Sequence, residues 1–296
     1  MMAAVIAPAP PSVVTITHRP AAPLASFVDL FWYRRGPQPD SRRNRALPTG
    51  KVDLVFDLDD HGLRVFADDL LRAATSARGA IVHGPQSRYF VLDAHRDVHV
   101  LGVHFHPGAG ALLLGVPARA LADRHVALED LWSGAARDLR ERLLEAATPA
   151  AMFALLEREL LDRMHKVPRV NPAISFALRG IRTAPAEVRV GALQEATGYS
   201  SRRFLALFAD SVGLTPKVYG RIQRLKGLVE AAAALPRPDW AELACAHGYY
   251  DQSHLAREFR ELSGVTPAQY RPLPRRPLHM NLDPEAGADP DMRQAF

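Results

Sequence analysis

The sequence predicts an α+β protein of two domains, a β-sandwich or barrel-like N-terminal domain with an αα-hairpin and an all-α C-terminal domain. Three observations predict it. The chain has 296 residues, enough for two units that each bury a core. Short β-branched, alternating segments punctuated by Gly and Pro fill the stretch from Val13 to His106. From Leu193 to Arg271 the chain makes nearly the same statement twice, at helical spacing.

Residues 1–12 are broken by prolines and lack a basic segment, so they read as a flexible leader rather than a signal peptide. Val13 to His18 and Phe27 to Tyr33 are strand signals. Residues 37–46 are polar and Arg-rich and predict an exposed loop, and Leu47-Pro-Thr-Gly-Lys51 predicts a turn. Val52, Leu54, Phe56 and Leu58 alternate with Asp53, Val55, Asp57 and Asp59. Asp60-His-Gly62 then turns the chain, and Leu63 to Phe66 returns, which predicts a hairpin with Asp53 and Asp57 on its solvated face. Asp68 to Arg78 reads as a loop or short helix. Ile81-Val-His-Gly-Pro85 and Tyr89 to Leu92 are short strands, Val98 to His106 is the clearest long one, and Ala111 to Gly115 begins something helical. An apolar stripe at helical spacing marks a helical hairpin at 133–166, closing a domain of residues 13–167. Pro168 to Pro172 breaks the pattern and sets a linker at 168–174.

Apolar residues make up 48% of the chain and charged residues 23%, an ordinary mixture for a folded soluble protein. No apolar run reaches membrane-spanning length, and the reading is a cytoplasmic protein. The net charge of +5 is concentrated: residues 171–280 hold 15 Lys and Arg against nine Asp and Glu, whereas the tail after Met280 is acidic. The one cysteine, Cys245, excludes an internal disulfide and a zinc cluster of cysteines; its place predicts a small buried apolar group. Residues 274–296 read as a disordered tail.

In the repeat, Leu193-Gln-Glu-Ala-Thr-Gly198-Tyr199 is followed by Phe204, Phe208, Gly213, Thr215-Pro216 and Tyr219. Leu243-Ala-Cys-Ala-His-Gly248-Tyr249 is followed by Leu255, Phe259, Gly264, Thr266-Pro267 and Tyr270. The offset is 50 residues up to the Gly-Tyr pair and 51 beyond it, so the second copy holds one extra residue. Each copy reads as helix, turn, helix, at about 190–212 and 240–263. Apolar residues four apart face the preceding helix, a Gly closes the second helix, and Thr-Pro opens the next. Asp251 and Ser200 or Ser201 serve as N-caps, and Asp239 with Glu242 starts the helix of the second motif. A long helix from Pro216 to about Ala233 joins the two motifs and spans roughly 27 Å at about 1.5 Å per residue. Consecutive faces of a major groove lie about 34 Å apart, so such a connector can serve two of them.

These motifs resemble the AraC/XylS family of transcription regulators over residues 175–273. The resemblance rests on Gly248-Tyr-Tyr-Asp-Gln-Ser-His-Leu-Ala-Arg-Glu-Phe259 and Gly264-Val-Thr-Pro-Ala-Gln-Tyr270, and on their first-copy counterparts from Gly198 and Gly213. It implies sequence-specific binding to double-stranded DNA, with the second helix of each motif in the major groove. It assigns base contacts to Arg202, Arg203 and Ala206, and to Gln252, Ser253, His254 and Arg257. An Arg can bond guanine bidentately and a Gln adenine. Lys217, Arg221, Arg224 and Lys226 on the connector can meet phosphates or form an ordinary wet face. The first half is similar to the sensor domain of one branch of these regulators through Leu47-Pro-Thr-Gly50, His83-Gly-Pro-Gln86 and Gly102-Val-His-Phe-His-Pro-Gly108. That implies a small-molecule effector, a homodimer, or both, with consequences for promoter occupancy or contact with RNA polymerase.

His104 and His106 share a strand face, with His99 upstream, and invite a metal reading. No carboxylate follows them closely, so they read as hydrogen-bonded or solvent-facing, with no metal, cofactor or catalytic residue assigned. The alternatives are a metal-dependent cupin-like enzyme domain fused to the DNA-binding module, and an architectural protein whose first half only dimerises.

Overall fold

Alternating apolar and polar residues make strands whose two faces meet different neighbours. The computed structural model describes residues 13–37, 43–59, 61–70, 74–93, 97–165, 170–273 and 276–281. Its N-terminal strands are β1 (Val14–His18), β2 (Val28–Pro37), β3 (Arg43–Ala46), β4 (Asp53–Asp57), β5 (Leu63–Phe66), β6 (Ala74–Ala77), β7 (Ala80–His83), β8 (Phe90–Asp93), β9 (Asp97–Phe105) and β10 (His125–Ala127). Two more, β11 (Pro272–Leu273) and β12 (Arg276–Asn281), lie near the C-terminus. They build two antiparallel sheets, in the orders β1-β2-β9-β4-β7-β10 and β11-β12-β3-β8-β5-β6.

Helices α1 (Gly110–Leu114), α2 (Leu128–Trp132), α3 (Gly134–Glu145) and α4 (Pro149–Met164) follow. Leu139 and Leu143 of α3, and Phe153, Leu156 and Leu160 of α4, share one core with Phe31, Leu54, Phe56, Leu101 and Phe105 of the first sheet. The strand residues recur every second position and the helix residues every third or fourth, as each backbone requires to keep one face dry. On the intervening strand positions His104, Asp53, His83 and His125 are successive cross-strand neighbours.

The structure corrects several expectations. The stretch foreseen as an exposed loop holds β3, whose Asn44, Arg45 and Ala46 are buried. The Arg45 guanidinium makes this possible by lying over the Tyr89 ring and pairing with Asp69. Instead of forming a hairpin, β4 and β5 stand in different sheets. Asp57 is buried rather than solvated, because its carboxylate accepts the backbone N–H groups of Asp59 and Gly62 at 3.1 and 2.7 Å and fastens the crossing. Within Asp68–Arg78, foreseen as loop or helix, Ala74–Ala77 is strand β6. The segment foreseen as a disordered tail contributes β12, which pairs with β3 and sets Leu278 against the C-terminal core. The leader at 1–12, most of the tail and part of the linker at 168–174 lie outside the described residues.

The C-terminal region is helical: α5 (Pro172–Thr183), α6 (Val190–Thr197), α7 (Ser201–Val212), α8 (Pro216–Ala233), α9 (Trp240–Ala246) and α10 (Gln252–Ser263). Its core gathers Ile174 and Ile181, Phe204 and Phe208, Tyr219, Ile222 and Leu225, then Leu255, Phe259 and Tyr270. Truncating a fully buried phenylalanine such as Phe204 costs about 3–5 kcal/mol, so the repeated aromatics anchor each motif. Two details differ from expectation. Thr266-Pro267 opens a single 3-10 turn, Pro267–Gln269, because the chain enters β11 directly afterwards. Cys245 is exposed, since Leu243 and Ala244 take the buried side of α9 and the next residue turns outward.

Candidate nucleic-acid interface

Each motif is set by its caps. Ser200 caps α7 by accepting the Arg203 N–H, and Asp251 caps α10 by accepting the His254 N–H at 2.6 Å. Gly213 and Gly264 end the two helices at φ of +82° and +77°, a conformation that costs a glycine little. Thr215 starts α8 by accepting the Val218 N–H, and Asp239 starts α9 by accepting those of Ala241 and Glu242. The 18-residue α8 thus joins two units of the same build.

With Phe204, Phe208 and Val212 turned inward on α7, Arg202, Arg203 and Ala206 are exposed. With Leu255, Phe259 and Leu262 inward on α10, Gln252, Ser253 and Arg257 are exposed and His254 is half-buried. The His254 ring lies edge-on to Tyr249, and its Nδ1 accepts the Tyr250 N–H. A shallow groove beside α10 is lined by Ala256, Arg257, Arg260, Glu261 and Thr266. Two exposed residues on these surfaces escaped the sequence reading: Leu205 on α7, and Tyr250 on the turn before α10. The departure from repeat spacing after Gly248-Tyr249 was the signal for the second.

The connector arginines, open in the sequence to phosphate contact or an ordinary wet face, carry ion pairs within the domain. Arg221 donates to Glu258 at 2.9 Å and to Glu261 at 2.6 Å, and Arg224 donates to both Glu258 oxygens at 2.8 Å. Arg224 also lies 4.5 Å over the Tyr249 ring. These are charge-assisted bonds to a buried carboxylate, and they lock α10 onto α8. The hydrogen bond from Arg221 holds the Glu261 carboxyl below its ordinary range. Lys226 sits 3.7 Å from Glu230, one turn along its own helix, and Lys217 is exposed on the first turn of α8.

The N-terminal domain touches both motifs at the ends opposite their N-caps. Pro85 and the Ala118 carbonyl crowd Gly213, leaving no room for a side chain at the close of α7. The Tyr89 ring crowds Gly264 in the same way, at 2.5 Å from where a Cβ would stand, and the Tyr89 N–H donates to the Leu262 carbonyl at 2.8 Å. Arg119 pairs with Asp210 of α7. Gly50 lies against the Tyr219 ring, and Gln223 of α8 donates to the Thr49 carbonyl at 3.1 Å. So Leu47-Pro-Thr-Gly50 and His83-Gly-Pro-Gln86, singled out in the sequence, are where one domain meets the other.

His104 and His106 part company. His104 Nδ1 bonds the Asp53 carboxylate at 2.6 Å, whereas His106 lies beyond the end of β9 and lines a cavity between the domains. Burial pushes the Asp53 carboxyl up, but the His104 imidazole, with His83 and Lys51, outweighs it and holds the carboxyl low. Among the described residues no group of three or more His, Cys, Asp or Glu converges as metal ligands. No helix of the described residues is long and apolar enough to cross a membrane.

These features define the C-terminal region as a DNA-binding helix-turn-helix domain. A family model described as "Helix-turn-helix domain" matches residues 193–272, and the tandem motifs place the region in the AraC type of transcription regulators. A second model, described as "Domain of unknown function (DUF6597)", matches residues 16–127. No curated protein matches the chain. Among solved structures, an apo variant of ToxT from Vibrio cholerae shares 9% identity at a TM-score of 0.46, covering 81% of this chain and 96% of that one. Another ToxT structure from Vibrio cholerae shares 11% at 0.43, covering 88% and 98%. Wild-type ToxT from Vibrio cholerae bound to an unsaturated fatty acid shares 8% at 0.46, covering 81% and 94%.

Proposed function

We propose that the chain is an effector-responsive, sequence-specific regulator that acts by binding DNA rather than by catalysis, its N-terminal domain controlling how the two recognition helices are held. One observation carries this reading: the segments 47–50 and 85–89 of that domain sit on the connector helix and on the closing ends of α7 and α10. Any shift of those segments changes the setting of both helices together. A cavity of about 760 Å³ gives a small molecule access to the boundary, lined by Phe27, His106 and Met164 on one side and by Leu178, Arg179 and Arg182 of α5 on the other. Its apolar lining together with Arg179 and Arg182 suits an apolar anion.

Arg202, Arg203, Ala206, Gln252, Ser253, His254 and Arg257 are the base-reading surface of this proposal. Lys217 and Lys226 remain as phosphate contacts, while Arg221 and Arg224 are withdrawn because their donors serve Glu258 and Glu261. A second copy of the chain and RNA polymerase are further partners inherited from the resemblance.

The test begins by selecting a preferred fragment from a random duplex library with the purified full chain. Arg257→Ala should then weaken binding to that fragment by about 1–3 kcal/mol and relax the preference at one base pair. Unchanged affinity and selectivity would remove Arg257 from the surface. Failure to enrich any fragment over scrambled duplex would remove the regulator itself.

A further inference from the structure

The two motifs differ in length by one residue, and their caps identify it. Tyr199 directly precedes the N-cap Ser200, whereas Tyr249 is separated from the N-cap Asp251 by Tyr250. Tyr249 is buried beneath Arg224, and Asp251 is committed to the His254 N–H. The extra residue is pushed outward, where 94% of Tyr250 is exposed.

Its backbone is not loose. The Tyr250 N–H donates to His254 Nδ1 at 3.3 Å, and both flanking residues are anchored. A fixed main chain therefore presents an aromatic ring and a hydroxyl to solvent, and no described residue bonds that hydroxyl. A ring so placed removes little apolar area from water and contributes little to folding. The position is specific: Tyr250 stands just outside the first turn of α10, next to the N-cap and close in sequence to the exposed Gln252 and Ser253.

We propose that Tyr250 donates its phenolic O–H to a backbone phosphate of DNA at the edge of the groove entered by α10. The inference rests on the DNA-binding reading above and adds a residue to it. A recognition helix enters the groove with its N-terminal residues against base edges, so the residue before its N-cap lies at the rim, where the sugar-phosphate strand runs. Tyrosine is among the side chains that bond phosphate oxygens and so fix register. As an uncharged donor, it adds affinity without releasing a counterion, and that separates it from Lys217.

The full chain and its Tyr250→Phe variant are compared on the library-selected fragment and on a scrambled duplex, over a range of salt. Tyr250→Phe should bind both duplexes about fivefold to tenfold more weakly at an unchanged salt slope. Lys217→Ala should reduce that slope by about one. Neutral methylphosphonate groups placed at successive phosphates should close the gap between wild type and Tyr250→Phe at one phosphate only. Equal affinities for wild type and Tyr250→Phe overturn the proposal. So does a loss confined to the selected fragment, which makes Tyr250 a base reader. So does Tyr250→Ala losing affinity while Tyr250→Phe keeps it, which assigns the role to the ring. If wild type prefers no fragment, the underlying DNA reading fails instead, and the two failures are distinct.

Discussion

His83 and His125 meet Nδ1 to Nδ1 at 2.9 Å, so one ring nitrogen donates and the other must keep its lone pair. Two charged imidazoles cannot hold that contact. Burial drives His83 down to about 4 and His125 down to about 3, with Asp53 pulling His83 partly back and His104 adding to the depression. Unfolded histidine takes up its proton near 6.5. The unfolded chain therefore binds more protons than the folded one between pH 6.5 and 4, and stability falls as pH falls through that window. From pH 7 to pH 5 His83 should remove about 2 kcal/mol, read as a drop in the urea midpoint of the full chain. A His83→Gln chain should show a smaller drop; an equal one would clear this histidine. The surroundings of the candidate contact residues were legible to different degrees. Arg202, Arg203 and Arg257 are exposed where helical spacing put them. The ion pairs of Arg221 and Arg224 were not legible, because their partner Glu258 lies more than 30 residues along the chain and only packing reveals it.

An α-helix in this chain is largely a local object, and helical elements were read best. Ser200, Thr215, Asp239 and Asp251 all cap where expected, and α8 runs from Pro216 to Ala233 as the sequence predicts. What spacing leaves open is how two helices are fixed to each other. For α8 and α10 the answer is the Glu258 carboxylate, whose side chain is 6% exposed between two guanidinium groups. Glu258→Gln should destabilise the C-terminal region by about 3 kcal/mol, because it leaves two half-buried cations without their anion. Denaturant unfolding followed by the three tryptophans, among them Trp240 of that region, would measure this. A loss under about 0.5 kcal/mol would show the cluster to be no stronger than a surface ion pair. Strands fared worse. β3 and β6 have four residues each and carry polar or small side chains, so alternation had too little length to declare itself.

For the molecule as a whole, connectivity binds the domains more than a single linker can. After α10 the chain returns to the N-terminal domain, where β12 pairs with β3 and the Leu47 N–H donates to the Leu278 carbonyl at 2.8 Å. The DNA-binding unit is thus held at both ends. Tyr89 holds it also at the close of α10, on Leu262 and Gly264. Removing that ring frees the close of α10 from a fixed setting, so Tyr89→Ala should lose preorganisation and not base chemistry. Its affinity for the library-selected fragment should fall about fivefold, roughly 1 kcal/mol, while its base preferences stay those of wild type. Changed base preferences, or no change in affinity, would count against the contact as a positioning device.

The amino-acid order by itself determined the tandem motifs, their caps, their inward aromatics and the helix between them. Each of those features depends on residues within a few turns of one another. The tertiary structure decided which arginines pair with Glu258, where β4 and β5 part into separate sheets, and that two N-terminal turn motifs are the seat of the helical domain. Those outcomes depend on contacts between residues tens to hundreds of positions apart. A partner at that distance leaves no periodic trace beside the residue that needs it.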